Sequence, residues 1–380
     1  MIVEKLSSNI DIKQHLRLLG VDDGGVNILA AKAKVHLVSI KNLHVGGANI
    51  LKQDALSIGA DLAVPRGTVV AQMPRVNCLL IATTAQLLKL SKKELAQPFG
   101  LKNLAKKLKA IALVKRVRSV AIMGIINAND DSFFKGSRFK EDDALEKIEL
   151  MISDGATIID IGGVSSAPNT KSVSEAEELA RIAPIADSIF KRKLHEKVKF
   201  SIDSYSPLVI EYALKSGFKI VNDITGLESD VVCKLCAEYN AEVVIMHMQG
   251  TPQTMQDNPQ YENILEELYI FLEQRIAKAE RFGIKDIILD VGIGFGKTLE
   301  DNLKLIKHLE HFMSLGKPLL VGASRKSMIA KIDGSGVDKR VGGTLALHLE
   351  AAKNGASILR VHDVQEHSQA IRVQEALDRV

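Results

Sequence analysis

The sequence predicts an α/β protein: a (β/α)8 TIM barrel over residues 116–380, preceded by a smaller α/β domain over residues 1–115. Three observations lead there. From about Ser119 onward, eight short runs rich in Val and Ile alternate with longer helical patterns, as repeated strand-helix units of a parallel sheet do. Eight such units in about 260 residues match the size of a barrel, roughly 250 residues, and exceed what an open doubly wound sheet needs. A polar or ionisable residue follows each run, where barrels gather their catalytic groups.

The barrel strands are expected at 120–126, 157–161, 198–202, 219–221, 242–246, 286–289, 318–321 and 357–361. Helical patterns at 142–153, 174–190, 206–215, 229–238, 263–282, 299–312, 342–352 and 364–377 separate them. Gly155, Gly217, Gly283 and Gly355 follow helices where a left-handed C-cap is wanted. The strand ends read Asn127, Asp160, Asp203, Asn222 with Asp223, His247, Asp290, Ser324 to Lys326, and Arg360 with His362. Any single Asp here caps a helix as readily as it serves a site. Together they read as one converging site in which carboxylates and amides accept from a heterocycle rich in N–H groups, while Lys326, Arg360 and His362 donate to a carbonyl and to phosphate oxygens.

Before the barrel, apolar runs at 35–40 and 77–82 and a helical pattern at 48–56 indicate a small α/β domain. Leu101, Leu104, Ala105, Leu108, Ile111 and Ala112 recur at helical spacing beside Lys102, Lys106, Lys107 and Lys109, so an amphipathic helix with a solvated basic face is expected. This domain holds no recognisable chemical motif, and its role stays open.

Composition narrows the function. The 380 residues are 46% hydrophobic and 25% charged, ordinary for a globular protein. Fifty basic against 46 acidic residues give +4, without the concentrated basic stripe of a nucleic-acid binder, and 4% aromatic residues are too few for a base-stacking platform. A small anionic substrate fits better. No apolar stretch reaches a membrane span, and Glu4 and Lys5 stand where a secretory signal builds its apolar region, so a soluble cytoplasmic protein is expected. Three cysteines exclude a disulfide scaffold.

Two motifs are set aside. VGIGFGKT at 291–298 has Val291 where a phosphate loop needs Gly, and Lys297 stands where a dinucleotide fingerprint needs its last Gly. Its glycines are read as letting backbone approach a flat ligand. Cys233 and Cys236 form an isolated CxxC in a helical pattern and are expected to pack, while His308, His311 and His348 are read as surface or satisfied core groups. No zinc site is expected.

Over residues 120–380 the chain resembles the dihydropteroate synthase family. The motifs, in order, are MGIINANDDSF from Met123, ATIIDIGG from Ala156, FSIDS from Phe200, VNDITG from Val221, MHMQGTPQTMQ from Met246, LDVGIGFGKT from Leu289, SRKSMI from Ser324 and RVHDV from Arg360. The resemblance implies a cytoplasmic, magnesium-dependent transferase of folate biosynthesis. It condenses 6-hydroxymethyl-7,8-dihydropterin diphosphate with 4-aminobenzoate to give 7,8-dihydropteroate and diphosphate. It further implies a homodimer through the outer helices, small-molecule substrates, and neither nucleic-acid nor membrane partners.

By motif position, the resemblance makes Asp203, Asn222 and Asp290 the pterin's hydrogen-bonding partners, with Lys326 at its carbonyl side and Asp160 supporting the pocket floor. Met246 packs either on the pterin ring or in the barrel core. Asn127 is the Mg²⁺ and diphosphate ligand, and Arg360 with His362 the diphosphate-binding pair. Ser166, Phe295 and Ser324 form the aminobenzoate surface, and Asp203, Asp290, Lys326, Arg360 and His362 are the catalytic set. The chain departs from the family at VSSAPN, 164–169, where Ser166 replaces a Thr and Ala167 an Arg, and at Asn129 and Asp130 in the first loop. Lys135 or Arg138 is placed to replace the lost cation. Two competing readings are a catalytically impaired pterin-binding paralogue acting through a partner, and a methyltransferase using a pterin-bound methyl group. Retention of Asn127, Lys326, Arg360 and His362 argues against both.

Overall fold

Apolar runs too short for helices become strands, and the computed structural model describes them within residues 1–7, 10–114, 119–128, 138–164 and 173–379, without the side chains of 138–142. The chain divides into two compact units, Met1–Lys115 and Arg116–Val380.

The first unit runs α1 (Ile12–Leu18), α2 (Asp23–Ala33), β1 (Val35–His44), α3 (Val45–Ser57), β2 (Asp61–Ala63), β3 (Arg75–Thr83), α4 (Thr84–Lys93) and α5 (Leu101–Leu113). Its three strands form an antiparallel sheet in the order β1-β3-β2. Alternation along β1 and β3 turns Val38, Ile40, Val76, Cys78, Leu80 and Ala82 to one face, where they pack with Ala48, Leu51 and Ala55 of α3, Leu87 and Leu90 of α4, and Leu101 and Leu108 of α5. The expected helix at 48–56 extends to α3, and Lys102, Lys106, Lys107 and Lys109 of α5 are exposed as anticipated. Thr83 and Gln86 close a capping box at the start of α4. Just beyond it, Glu94 is fully buried and neither of its carboxylate oxygens finds a donor among the described residues. Burial first, and then the neighbouring Asp54, push its pKa up to about 7.

The second unit begins with β4 (Ala121–Asn127) and α6 (Arg138–Ser153), then β5 (Ile158–Gly162) and α7 (Glu175–Lys191), β6 (Lys199–Asp203) and α8 (Pro207–Lys215), β7 (Ile220–Asp223) and α9 (Asp230–Glu238). It continues with β8 (Glu242–Met246) and α10 (Ile264–Arg281), β9 (Ile287–Asp290) and α11 (Leu299–Lys307), β10 (Leu319–Val321), α12 (Ser327–Asp333), α13 (Val341–Lys353), β11 (Ile358–Val361) and α14 (Val364–Leu377). The eight strands are parallel and close into a barrel in the order β10-β11-β4-β5-β6-β7-β8-β9. This is the TIM barrel the sequence predicts. The large core lies between strands and helices, joining residues such as Ile159, Ile161, Phe200, Ile202, Val243 and Ile245 to Leu145, Ile182, Val209, Cys233 and Leu268.

The structure adds α12, which the sequence pattern gives no sign of: seven residues offer barely two helical turns. The helix expected at 299–312 ends at Lys307 and passes into a tighter 3-10 turn, Leu309–Leu315. All four expected C-cap glycines have positive φ, between 88° and 109°. Cys78, Cys233 and Cys236 are free thiols buried in the two cores, and burial pushes Cys236 up to about 12. Among the described residues no helix is long and apolar enough to cross a membrane.

Glu94 yields a pH-dependent expectation. Its folded pKa lies above the unfolded value, so folding retains the proton and stability falls as pH rises from about 4.5 through about 7. Glu94→Gln removes that loss: in thermal melts its advantage over the wild type grows with pH across this window and is absent at its acid end.

Candidate active site

The barrel interior is built in layers. Met123, Ile158, Ile220, Val244, Ile288, Leu320 and Ile358, one from each of seven strands, form an apolar floor. Side chains two positions apart share a face of a strand, so Asp160, Asn222, Met246, Asp290 and Arg360 enter the same interior one step nearer the carboxyl ends. β6 supplies Ser201 and then Asp203, whose register neighbours are Gly162 and Asn222. The alternation that fills the floor with apolar groups thus brings Asp160, Asn222, Asp290 and Arg360 together in the next layer.

Arg360 is the centre of that layer. Its Nε donates to Asp160 Oδ2 and its Nη2 to Asp203 Oδ2, each at 2.6 Å. Asn222 Nδ2 donates to the same Asp160 oxygen at 3.2 Å, while Asp160 Oδ1 and Ser201 Oγ are buried without a partner among the described residues. Burial raises Asp203 to about 7; Arg360 opposes the rise, and Asp160 and Glu178 of α7 reinforce it. Burial also works against the charge on Arg360, yet the two carboxylates outweigh it and hold the guanidinium firmly protonated.

The far side is formed by the loops after β9 and β10. Asp290 Oδ1 accepts the Gly292 N–H at 2.7 Å, and burial raises its pKa. Gly292 lies at φ +67°, where an added Cβ would stand 2.0 Å from the His247 carbonyl oxygen, so only glycine fits. Under this loop the buried Lys297 Nζ donates to the carbonyls of His247, Gly292 and Phe295 at 3.1, 2.9 and 2.8 Å and also faces His247 Nδ1 at 3.1 Å. Sequence reasoning used Lys297 only to reject a nucleotide motif; its role as the tie between the β8 and β9 loops has no local signal. Phe295, fixed by that tie, lies 4.2 Å beneath Lys326 Nζ. Burial, then Arg360, lower Lys326 to about 8.

At the rim, Ser324 Oγ accepts the His362 backbone N–H at 3.1 Å and lies 2.9 Å from His362 Nδ1. Burial, then Arg360, bring His362 down to about 4, so the ring is neutral near pH 7. Asn127 is exposed at the end of β4, and with Arg325 and His362 it borders a cleft of about 400 Å³ between β4, α6 and the start of α14.

The structure therefore joins Asp160, Asp203, Asn222 and Arg360 by direct bonds, places Asp290 and Lys326 in mutual electrostatic reach, and pairs Ser324 with His362. Met246 is buried in the interior, paired in register with Asp290. Asp223 plays a different part, since its carboxylate accepts from Thr225 N, Thr225 Oγ1 and Leu227 N and shapes the loop after β7. Ser166, Ala167, Asn129, Asp130 and Lys135, and the side chain of Arg138, lie outside the described residues.

Residues 123–362 match the family model described as pterin binding enzyme. A bifunctional dihydropteroate synthase/dihydropteroate reductase of Helicobacter pylori is 40% identical over 378 residues, covering 100% of this chain and 99% of that protein. The dihydropteroate synthase of Haemophilus influenzae is 42% identical over 258 residues, 67% of this chain and 93% of its own length. Among solved structures, that of the Xanthomonas albilineans dihydropteroate synthase with 4-aminobenzoic acid superposes with a TM-score of 0.64 and 34% identity, covering 69% of this chain and 94% of that one. With the ordered motifs, the closed barrel and the polar layer of its mouth, these likenesses establish that the chain belongs to the pterin-binding dihydropteroate synthase family and is a transferase of that type.

Proposed function

We propose that the chain condenses 6-hydroxymethyl-7,8-dihydropterin diphosphate with 4-aminobenzoate, forming 7,8-dihydropteroate and releasing diphosphate. The observation that carries this reading is the polar layer around Arg360, which provides buried acceptors on one side and cations toward the rim. A dihydropterin presents N–H and amino donors along one edge and a carbonyl beside them. Asp203, Asn222 and Asp290 accept from the donors, Lys326 serves the carbonyl, and Asp160 supports the floor through Arg360 and Asn222. Phe295 and Ser324 border the aminobenzoate; Ser166, which the family resemblance assigns to the same surface, lies outside the described residues.

In the reaction the C–O bond between the pterin methylene and the diphosphate breaks, and its electron pair leaves with the diphosphate. The arylamine nitrogen then forms the C–N bond and gives up a proton. Carboxylates of the polar layer stabilise positive charge developing on the pterin in a site where water screens it poorly. Arg360 is engaged with both carboxylates in this structure, so the arriving substrate exchanges those contacts: its ring donors take up Asp203 and its phosphates draw the guanidinium. His362 acts as a neutral donor. When the Ser324 hydroxyl donates to Nδ1, the ring proton is on Nε2, free for a phosphate oxygen.

The family implies magnesium, and the donor set fits an ion brought in by the substrate. Among the described residues there is no cluster of three or more His, Cys, Asp or Glu, whereas Asn127 offers one exposed amide oxygen at the rim, and Mg²⁺ commonly completes its shell with water and phosphate oxygens. Bound there, the ion neutralises charge on the departing diphosphate.

A second activity is favoured by one observation. The likeness to the bifunctional Helicobacter pylori protein runs through the first unit, whereas the Haemophilus influenzae synthase matches a length that the barrel unit alone accounts for. On this reading the chain also reduces dihydropteroate, adding a hydride and a proton across its remaining reducible ring C=N bond, with a reduced nicotinamide or flavin as hydride donor. The same family reading makes a homodimer the expected assembly.

The deciding measurement follows diphosphate release with and without 4-aminobenzoate, in the presence of Mg²⁺. Release coupled to dihydropteroate formation is expected; pterin binding without release would instead leave a non-catalytic paralogue. Asp290→Asn turns one acceptor into a mismatched amide and is expected to weaken pterin affinity by about 1 to 3 kcal/mol in calorimetry. Arg360→Ala leaves Asp160 and Asp203 buried without their cation, a loss of about 3 to 5 kcal/mol in denaturant unfolding. That loss shrinks as pH falls toward about 7 and levels off below it, because Asp203 without Arg360 takes up its proton at a higher pH than in the wild type. The reductase reading is checked on the full chain by consumption of the hydride donor that depends on dihydropteroate.

A further inference from the structure

Two buried histidines outside the pterin layer form a hydrogen-bond chain whose direction the structure fixes. His348 lies in α13 and His367 in α14, and each is at most 1% exposed. The Ala323 backbone N–H points at His348 Nε2 at 2.9 Å, so that nitrogen accepts. A neutral His348 therefore carries its proton on Nδ1, which faces His367 Nε2 at 2.9 Å. His367 in turn carries its proton on Nδ1, where the Asp363 carbonyl oxygen accepts it at 2.5 Å. An amide donor at one end and a carbonyl acceptor at the other leave one arrangement, with both rings neutral. Burial holds both below the usual histidine range. The ionisable groups facing them are His362 on His348, and Asp363 and Glu366 on His367.

The two ends of this chain are the two loops that matter. Ala323 opens the turn that presents Ser324, Arg325 and Lys326, and Asp363 follows His362. Arg325 sits at φ +54°, a left-handed conformation that a non-glycine residue keeps only where its surroundings hold it. Thr344 Oγ1 accepts its N–H at 3.0 Å, Arg340 Nη1 donates to its carbonyl at 2.9 Å, and its guanidinium grips the Asp363 carboxylate.

We infer that His348 and His367 are positioning residues: they set the spacing between the turn that carries Lys326 and the segment that carries His362, so that the pterin and the diphosphate of one substrate are met together. This rests on the roles proposed above for Lys326 and His362. Neither histidine touches substrate; each acts through backbone it holds.

The test compares full-length wild type, His348→Leu and His348→Gln. Leucine removes the chain, whereas the glutamine amide oxygen still accepts from the Ala323 N–H. Expected is a loss in kcat/KM for the pterin diphosphate of about ten- to a hundredfold in His348→Leu, a smaller change in KM for aminobenzoate, and substantial recovery in His348→Gln. Wild-type rates in the leucine variant, or equal losses in both variants with melting temperatures unchanged, would overturn the inference. Nitrogen NMR of histidine-labelled wild type supplies a readout independent of turnover: both rings should be neutral with the proton on Nδ1 near neutral pH, and a charged ring or the other tautomer contradicts the chain. An inactive wild type would count against the proposed reaction; pterin diphosphate affinity, compared across the same variants, then decides the positioning role.

Discussion

The site depends on one guanidinium placed between two buried carboxylates. Asp160 is fully buried and Asp203 nearly so, and without Arg360 their charges would oppose one another where water cannot screen them. Even with it, burial leaves Asp203 near 7. Arg360 opposes that rise and holds the acceptors aligned before any ligand arrives, so a pterin meets organised partners. The cost of gathering charge is met within the layer, because Asp290 and Lys326 offset one another across it.

Layering makes that arrangement possible. The apolar floor gives the barrel its packing and is indifferent to chemistry; one pleat higher, four of the same seven strands carry Asp160, Asn222, Asp290 and Arg360. Strand register fixes which of these become neighbours: Asp203 stands beside Asn222, and Met246 beside Asp290. The loops then refine the positions. Lys297 gathers three carbonyls of two loops around one buried nitrogen, and the loop it holds is the one that places Phe295 under Lys326.

Much of this was legible in the chain because barrel strands are buried on both faces and so read as continuous Val and Ile runs with their polar residue at the end. Asp160, Asp203, Asn222, Asp290 and Arg360 could be named from that pattern and from the family motifs. The interactions among them could not: Arg360 lies 200 residues from Asp160 and 157 from Asp203, and no local pattern reports such a pairing. The same holds for Lys297 with His247, 50 residues apart, and for His348, read as a surface or satisfied core group, with His367, which the sequence reading did not single out. Asp223 shows the opposite failing, since a carboxylate at a strand end looked like its neighbours and proved to be a loop brace. In the first unit the apolar runs of β1 and β3 were visible, while β2, at three residues, is too short for such a run to stand out.

The sulfur atoms carry a practical corollary. All three thiols are buried, and burial disfavours the thiolate that alkylating agents and peroxides attack. The folded chain is therefore a quiet background for thiol chemistry. A single cysteine introduced on an exposed surface can take a maleimide dye or a spin label without competition from the native residues, and labelling of Cys78, Cys233 or Cys236 reports the opening of the core that encloses it.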